Sequence, residues 1–286
     1  MDKILITGCA GFLGSNITAS FLKNNEHLIF GLDDFSNSTF SRLYPQLKNE
    51  NFEFLDGIYT LIDFPQTDYI LHFSGCGDLK LFYQDKYDFI KKELSFLDFI
   101  LNETLKSGAM LIIPLDYQNF DDVIYNQFLN FKQSLILEFS AKNKINTKIL
   151  KSSEVYGKNF SFEDERFLPL ALKNIFLNKD IELKNNEKIN LIYFEDYFKT
   201  LEYIMFNYVD NEIIELINPI QTTKNDVLNF IISKISSTSK IEILNNEILS
   251  KKYEINSNNL LNKFLQTPLT KGLEETIEDF KLRYFI

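Results

Sequence analysis

Arginine is scarce in this sequence, and positive charge is in deficit. The 286 residues include only Arg42, Arg166 and Arg283, and the formal net charge is −10. An acidic chain is repelled at long range by DNA and by anionic membrane surfaces, so neither a nucleic acid nor a membrane is an expected partner. Any phosphate that the chain binds has to be held mainly by backbone amides.

Cysteine, histidine and long apolar runs are scarce as well. Cys9 and Cys76 are the only cysteines and there are two histidines, which gives neither a disulfide framework nor a spaced metal-ligand cluster, so no metal is expected. No apolar run approaches the roughly 20 residues of a membrane span. The first residues start a strand and lack the basic and apolar regions of a signal peptide. We therefore expect a cytoplasmic protein with buried thiols.

Strand and helix patterns alternate from the first residues onward. Such alternation is typical of right-handed βαβ units, so the predicted fold is α/β, a Rossmann-like doubly wound parallel sheet with a smaller C-terminal substrate-binding lobe. The predicted strands are KILITG, HLIFGLD, NFEFLD, DYILHFSG, MLIIPLD and a sixth in TKILKSSEVYG that runs into a loop. The main helices lie in GSNITASFLKNN, KKELSFLDFILNETLKSG and FLNFKQSLILEFSAKNK.

The pattern loosens beyond about Tyr156, and no Gly/Ser linker marks a boundary. We predict an NAD-binding domain over residues 1–156 and a lobe that is mostly substrate-binding over 157–286, with room for late sheet elements that return to the first domain. Ligands of open α/β proteins bind at the carboxyl edge of the sheet, so the second lobe is expected to fold there.

The stretch ILITGCAGFLGSN contains a glycine turn between the first strand and the first helix. Gly8 permits the tight turn, Gly11 lets the backbone approach a pyrophosphate, and Gly14 lets the helix pack closely. The helix N-terminus adds amide donors and a partial positive charge. An arginine-poor chain can bind a dinucleotide in this way.

A carboxylate pair follows the second strand, about 20 residues after the turn, which is the usual place for an acid that binds the adenosine ribose. These residues are Asp33 and Asp34. A carboxylate there accepts hydroxyl hydrogens and repels a 2′-phosphate, which favours NAD over NADP. A solvated turn at a strand end is the alternative.

The ordered motifs resemble those of the extended short-chain dehydrogenases/reductases, the NAD-dependent epimerases and dehydratases of nucleotide sugars. The resemblance rests on TGCAGFLGSN, LDDFSNS, LDG, HFSG, VYG, IYFEDYFKTL with Asp196, the INP turn near Asn218, and TPLTKGLEETI, and it covers almost the whole chain. It implies a pyrophosphate site at Gly8, Gly11, Phe12, Leu13 and Gly14, ribose contacts at Asp33 and Asp34, adenine contacts at Asp56 and Gly57, and a nicotinamide-side turn at Phe73, Ser74 and Gly75. His72 is interpreted as a residue of the fourth strand rather than as a base.

The catalytic half departs from that family. A family-like relay needs a tyrosine four residues before a lysine, since the lysine lowers the phenol pKa and holds the ribose. Here Lys132 is preceded at that spacing by Phe128, which cannot exchange a proton, and the fifth strand ends at Asp116 instead of a hydroxyl-bearing residue. Lys132, Asp116 and Tyr125 are the candidate catalytic residues.

Three explanations remain open at this point. Tyr125, Asp116 or Tyr117 serves as the acid or base; the alignment has slipped, although no YxxxK lies between Met110 and Val155; or catalysis has been lost. The favoured function is a nucleotide-sugar epimerase/dehydratase-like enzyme acting by hydride transfer, and a catalytically silent NAD-binding homologue is the alternative.

Two partners are expected. A nucleotide-sugar substrate would use the available cations Lys151, Arg166 and Lys188 for its diphosphate. A homodimer would use the helix in FDDVIYNQFLNFKQSLILEF, which is rich in apolar residues and resembles the dimerising helices of the family.

Overall fold

A computed structural model describes residues 1–36, 38–56, 59, 63–75, 79–116, 122–207, 212–245 and 263–285. The chain divides into two compact units. The first contains Met1–Ser152 and Ile204–Glu215, and the second contains Ser153–Tyr203 and Leu216–Ile286. Within the described ranges, no helix is both long and apolar enough to cross a lipid bilayer.

The first unit is built on a seven-stranded sheet. Its strands are β1 (Asp2–Thr7), β2 (His27–Leu32), β3 (Phe52–Phe54), β4 (Tyr69–His72), β5 (Met110–Asp116), β6 (Thr147–Ser152) and β11 (Ile213–Leu216), in the order β11-β6-β5-β4-β1-β2-β3. The pairings from β3 through β6 are parallel. The chain reverses its direction of strand addition between β1 and β4, so the predicted Rossmann-like sheet is confirmed.

Helices cover this sheet on both faces. They are α1 (Phe12–Leu22), α2 (Leu79–Gln84), α3 (Lys86–Ser107) and α4 (Val123–Asn143), with short 3₁₀ turns at Phe40–Arg42 and Gln46–Lys48. Leu5 of β1 belongs to one core cluster with Leu97 and Ile100 of α3 and Ile136 of α4. Its neighbours Ile4 and Ile6 are equally buried and point to the opposite face, because side chains alternate along a strand.

The last two sheet elements differ from the prediction. TKILKSSEVYG was predicted as one strand that runs into a loop, but the part expected to be a loop contains a separate β7 (Glu154–Tyr156), which follows β6 and pairs in parallel with β10 (Leu191–Tyr193). The break at Ser153 is held by hydrogen bonds, since its N–H donates to the carbonyl of Leu216 and its hydroxyl donates to Asn190. Strand β11, at the edge of the large sheet, was not predicted.

The second unit is a smaller α/β assembly. Besides β7 and β10, it contains α5 (Phe167–Phe176), β8 (Ile181–Asn185), β9 (Lys188–Ile189), α6 (Phe194–Phe206), β12 (Thr222–Thr223), α7 (Lys224–Ile235), β13 (Ile241–Asn245) and α8 (Leu269–Tyr284). The last residues of α6 belong to the first unit. The two other small sheets described in the second unit pair β12 with β9 and β13 with β8.

Candidate functional site

The glycine turn lies at the carboxyl end of β1, and its first glycine has a left-handed backbone. Gly8 has φ +70°, and its N–H donates to the carbonyl of Leu32 at 2.8 Å. A Cβ at this position would lie 2.8 Å from the backbone of Phe73 and Ser74. Both the conformation and the close approach of β4 therefore require glycine.

The other two glycines serve different purposes. A Cβ at Gly14 would lie 2.1 Å from the Gly8 carbonyl oxygen, so this glycine sets the distance between helix and turn. A Cβ at Gly11 would meet, among the described residues, only that same oxygen within 4 Å, at 3.1 Å. The backbone at Gly11 is thus open on the side where a Cβ would project.

Helix α1 begins in a way that suits a bound pyrophosphate. Gly11 is its N-cap, without a side-chain cap, and its first turn carries no acidic residue. The first amides of any helix lack intrahelical acceptors, and Phe12 and Leu13 occupy the first two helical positions. The open space at Gly11 and the helix N-terminus without a side-chain cap together fit the pyrophosphate of a dinucleotide.

Asp33 connects the glycine turn to the loop after β2. Its Oδ2 accepts the Ala10 N–H at 2.8 Å, and its Oδ1 accepts the Phe35 N–H at 2.9 Å and the Ser38 hydroxyl at 2.6 Å. The exposed Asp34 instead accepts the Ser36 N–H at 2.9 Å. Asp33 is thus half-buried and fixed by three donors, whereas Asp34 is exposed and held by a single backbone N–H among the described contacts.

Arg42 is a residue of this region that the sequence analysis missed. Its side chain is buried, and its Nη1 lies 3.5 Å from the carbonyl oxygen of Ala10. Asp33 and Arg42 therefore bind the N–H and the carbonyl oxygen of the same residue, Ala10. The signal in the sequence was weak, because Arg42 lies ten residues beyond the strand end in a loop without regular periodicity.

The turn after β4 meets the glycine turn from the neighbouring strand. The Phe73 N–H donates to the Thr7 carbonyl at 3.0 Å, and Gly75 has φ +73°. His72 is confirmed as a residue of β4 and shares a 2.8 Å hydrogen bond with the Thr7 hydroxyl. Burial, and secondarily the charge of Lys132, holds the pKa of His72 well below its usual value, so the ring is neutral.

Lys132 lies inside the first unit and has a carboxylate partner. Its side chain is 2% exposed, and its Nζ lies 3.1 Å from Oε2 of Glu93. A Cβ at Gly75 would lie 2.0 Å from the Glu93 carboxylate oxygens, so this carboxylate is seated against the Gly75 turn. The structure thus brings together Lys132 and the predicted nicotinamide-side turn through Glu93.

Glu93 was also missed, although its position in α3 gave a signal. Phe89 and Leu97, one turn before and one turn after it, are buried core residues. An acid on the apolar stripe of an amphipathic helix needs a partner, since a buried carboxylate without one is costly. The sequence alone did not say that the partner would be Lys132 on the next helix.

The remaining candidate catalytic residues meet at the start of α4. Tyr125 is 1% exposed, and its hydroxyl donates to Oδ2 of the half-buried Asp116 at 3.4 Å. Phe128 is buried in an aromatic cluster with Tyr125, Phe82 and Phe89. Asp116 is therefore the most accessible member of the predicted catalytic set, and Tyr125 binds it from the interior.

The other predicted positions vary in exposure. Asp56 is exposed, whereas Gly57, Cys76 and Tyr117 lie outside the described residues. Lys151 is half-buried in β6, and Lys188 is exposed in β9. The guanidinium of Arg166 is held by Asp164 at 2.6 Å. Of the two predicted cations in the second unit, Lys188 is therefore the more open.

The family-like motifs of the second unit form hydrogen-bond networks. The buried Asp196 accepts the N–H and the hydroxyl of Thr267 at 2.7 and 2.8 Å. The amide of Asn218 donates to the Leu191 carbonyl at 2.9 Å. These two residues fix loops of the second unit in place.

A titratable cluster that sequence analysis did not single out links β10, α8 and Lys158. The Tyr193 hydroxyl donates to Oε2 of Glu275 at 2.8 Å, and Nζ of Lys158 lies 2.9 Å from the same oxygen. The hydrogen bond from Lys158 is the main reason why the pKa of Glu275 is lowered, while burial chiefly raises the pKa of Tyr193. The carboxylate stays ionised and the phenol stays protonated.

Fold and glycine turn together define a dinucleotide-binding domain of the Rossmann type. Residues 4–113 match the model of the NAD dependent epimerase/dehydratase family, so this part of the chain is similar to that family. The match agrees with the family predicted from the motifs. The alternative of a catalytically silent homologue finds no support in it.

Two curated relatives share parts of the sequence. A 48-residue segment, 16% of this chain, is 48% identical to 15% of the uncharacterized UDP-glucose epimerase YtcB of Bacillus subtilis (strain 168). A 179-residue segment, 61% of this chain, is 27% identical to 22% of the bifunctional polymyxin resistance protein ArnA of Wigglesworthia glossinidia brevipalpis. The chain therefore spans less than a quarter of the length of either relative in these matches.

Solved structures share the fold over the whole chain. The UDP-glucose 4-epimerase of Thermotoga maritima, solved with UDP-glucose, superposes with a TM-score of 0.83 at 15% identity, covering 98% of this chain and 99% of that one. At this identity the likeness shows the fold, and it extends through the second unit.

Proposed function

We propose that this protein is an NAD-dependent enzyme of carbohydrate biosynthesis that epimerises or dehydrates a nucleotide sugar by hydride transfer. The observation that carries the proposal is the glycine turn fixed by Asp33 within a region similar to the epimerase/dehydratase family. The names of the relatives point to UDP-sugars as the first substrates to test.

Different residues of the first unit would contact different parts of NAD. The turn and first helical amides would hold the pyrophosphate, Asp33 and Asp34 the adenosine ribose, Asp56 and Gly57 the adenine, and the turn from Phe73 to Gly75, with Lys132, the nicotinamide-side ribose. When bound, NAD supplies a hydride acceptor. The protein has to orient it, exclude water and accept a proton from the sugar hydroxyl.

We assign the role of proton acceptor from the sugar hydroxyl to the carboxylate of Asp116. Phe128 has no exchangeable proton, and the Tyr125 hydroxyl is buried and donates to Asp116, which orients the carboxylate rather than accepting from the sugar. A carboxylate oriented by such a hydrogen bond can take a hydroxyl proton as the same sugar carbon loses its hydride. Tyr125 is then a positioning residue.

Lys132 has a modified role in this site. In a relay built on tyrosine its charge would stabilise a phenolate, but here Glu93 lies 3.1 Å away and compensates that charge. We infer that Lys132 orients the cofactor through the ribose and that Glu93 fixes the lysine and the Gly75 turn together.

The second unit is proposed to bind the nucleotide sugar, in keeping with the predicted division into a cofactor domain and a substrate lobe. Of its two candidate cations for the diphosphate, Lys188 is the more open, because it is exposed. The guanidinium of Arg166 is already paired with Asp164. Lys151 of the first unit remains a further candidate.

We propose that the protein is cytoplasmic, because NAD and nucleotide sugars are cytoplasmic metabolites. We also propose that it is a homodimer, because α4 exposes apolar side chains. Val123, Ile124 and Phe131 of this helix are 66%, 47% and 54% exposed. Residues seven or eight apart share one helical face, so these side chains form an apolar stripe that a second copy would cover. Sedimentation of the native protein and of Phe131→Glu tests this stripe.

The experiment for the activity has two stages. A thermal-shift screen of UDP-, GDP-, dTDP- and CDP-sugars with NAD present should give at least one stabilising compound. That compound is then assayed with native protein, Asp116→Asn, Tyr125→Phe and the control Glu26→Gln, an exposed acid just before β2.

Asp116→Asn should lower turnover by about 10² to 10⁴-fold, the usual contribution of a general base, and the control should leave it unchanged. Tyr125→Phe should have a smaller effect, with a shifted pH profile. Stabilisation by NAD without any effect of the sugars would contradict the substrate class, and full activity of Asp116→Asn would contradict its role.

A further inference from the structure

Lys86 occupies an unusual place for a cation, the first position of helix α3. Asp85 is the N-cap of this helix and accepts the N–H of Asp88, so the first turn is capped without the lysine. The N-terminus of a helix carries a partial positive charge, which makes it unfavourable for a cation. The stability of α3 therefore does not explain a lysine here, and its contacts with other elements have to.

The ammonium group of Lys86 contacts the carboxylate that begins the neighbouring helix. Its Nζ lies 2.5 Å from Oδ2 of Asp122, which is the N-cap of α4. The other carboxylate oxygen, Oδ1, accepts the N–H groups of Ile124 and Tyr125 at 2.9 and 3.1 Å. The hydrogen bond from Lys86 is the main reason why the pKa of Asp122 is lowered. A single ionised side chain thus connects Lys86 to the backbone of Tyr125.

A second contact connects Lys86 to the ring of Tyr125. The Lys86 Nζ lies 5.2 Å from the centroid of the Phe82 ring, within the range of a cation–π interaction. Phe82 is fully buried, and its ring meets the Tyr125 ring edge to face at a centroid distance of 4.8 Å. The backbone and the ring of Tyr125 are therefore linked to the same ammonium group by two separate contacts.

We propose that Lys86 is a positioning residue for Asp116, the proposed proton acceptor. It fixes the backbone and the ring of Tyr125, whose hydroxyl donates to Oδ2 of Asp116 at 3.4 Å. This inference rests on the proposed function and adds a residue of another helix to the site. A reacting group displaced by about 1 Å can cost about 10²-fold in rate, so a residue that never touches the substrate can still set turnover.

The test measures kcat and KM with NAD and UDP-glucose, or with the screened nucleotide sugar that stabilises the protein most. Lys86→Met removes the charge and keeps an unbranched side chain, and Lys86→Arg keeps the charge. Lys92→Met is the matched control, because Lys92 lies on the same helix and pairs with an aspartate of that helix, Asp88, at 2.7 Å. Lys86→Met is also combined with Tyr125→Phe, and urea unfolding of the single and double variants measures their coupling without substrate.

Lys86→Met should lower kcat roughly tenfold, by no more than Tyr125→Phe does, and should leave KM nearly unchanged, because the proton acceptor is displaced and the substrate lobe is not. Lys86→Arg should retain most of the native kcat, and Lys92→Met all of it. In the Tyr125→Phe background, Lys86→Met should have little further effect on kcat, and the two changes should be non-additive in unfolding free energy, since both act on one network.

Native kcat in Lys86→Met would overturn the positioning role, while a loss of turnover in Asp116→Asn would leave the proposed function intact. Additive effects of Lys86→Met and Tyr125→Phe, on kcat or on unfolding free energy, would also overturn it, because Lys86 would then not act through Tyr125. A native protein that turns over no nucleotide sugar would overturn the proposed function and the positioning role with it.

Discussion

Replacing the two glycines that begin α1 should separate stability from cofactor binding. In Gly14→Ala the new Cβ and the Gly8 carbonyl oxygen must move apart by about 0.9 Å, from 2.1 Å to the 3.0 Å below which such contacts are essentially not found. Backbone lies on both sides of this contact, so helix and turn must shift. Overpacking of this kind typically costs about 1–3 kcal/mol, and the rigid partner places Gly14→Ala at the upper end.

Gly11→Ala should behave differently. Its Cβ would lie 3.1 Å from the same oxygen and needs a shift of only a few tenths of an ångström. We expect its unfolding free energy to fall by less than about 1 kcal/mol, since its other surroundings among the described residues are open. The methyl group would occupy space needed by a pyrophosphate, and NAD affinity should fall at least about tenfold, or 1.4 kcal/mol.

Thermal unfolding and calorimetric titration with NAD measure the two effects. At about 2–4 °C per kcal/mol, Gly14→Ala should lower Tm by roughly 6–12 °C. Gly108→Ala is the control: its Cβ meets no atom of the described residues within 4 Å, and only its left-handed φ of +68° is strained. If Gly11→Ala binds NAD as native protein does, the turn does not hold the pyrophosphate and the assignment is refuted.

Three further predictions concern charge. Native protein should bind NAD at least about tenfold more tightly than NADP in calorimetric titrations, and Asp33→Ser should reduce this ratio of affinities. Equal affinities of native protein for NAD and NADP would refute the assignment of Asp33 to the adenosine ribose. Lys132→Met should lower the unfolding free energy by about 3–5 kcal/mol because Glu93 loses its partner, and adding Glu93→Leu should recover much of this loss in urea unfolding. His72 is neutral when folded, so the unfolded state takes up a proton as the pH falls below 6.5 and stability decreases by about 1 kcal/mol between pH 7.0 and 5.5; His72→Gln should flatten this dependence.

The first unit could largely be predicted because its signals are local. Its apolar strands are short runs bounded by turns, and β1, β2, β4 and β5 lie within one to three residues of the predicted bounds. The glycine turn was predictable for the same reason. The atoms that a Cβ at each glycine would contact belong to backbone within a few residues or to the turn after the adjacent strand. Asp33 followed from a fixed spacing after that turn.

Contacts between distant segments could not be predicted. Glu93 and Lys132 are 39 residues apart, and their pairing depends on how α3 and α4 pack. The split of β6 from β7 depends on Asn190 and Leu216, both far along the chain from Ser153. The ring contacts among Phe35, Phe40 and Phe54 gave no periodic signal either, because these residues converge from a strand end and an irregular loop.

The return of the chain to the large sheet limits how this protein can be dissected. The first unit is made from two stretches, and β11 covers the outer edge of β6 only after the chain has built part of the second unit. A fragment ending at Ser152 would leave β6 as an open edge with unpaired backbone groups, which invites association with other chains. Expression of the cofactor domain alone therefore calls for a fusion that supplies residues 204–216, such as a circular permutant, rather than a simple truncation.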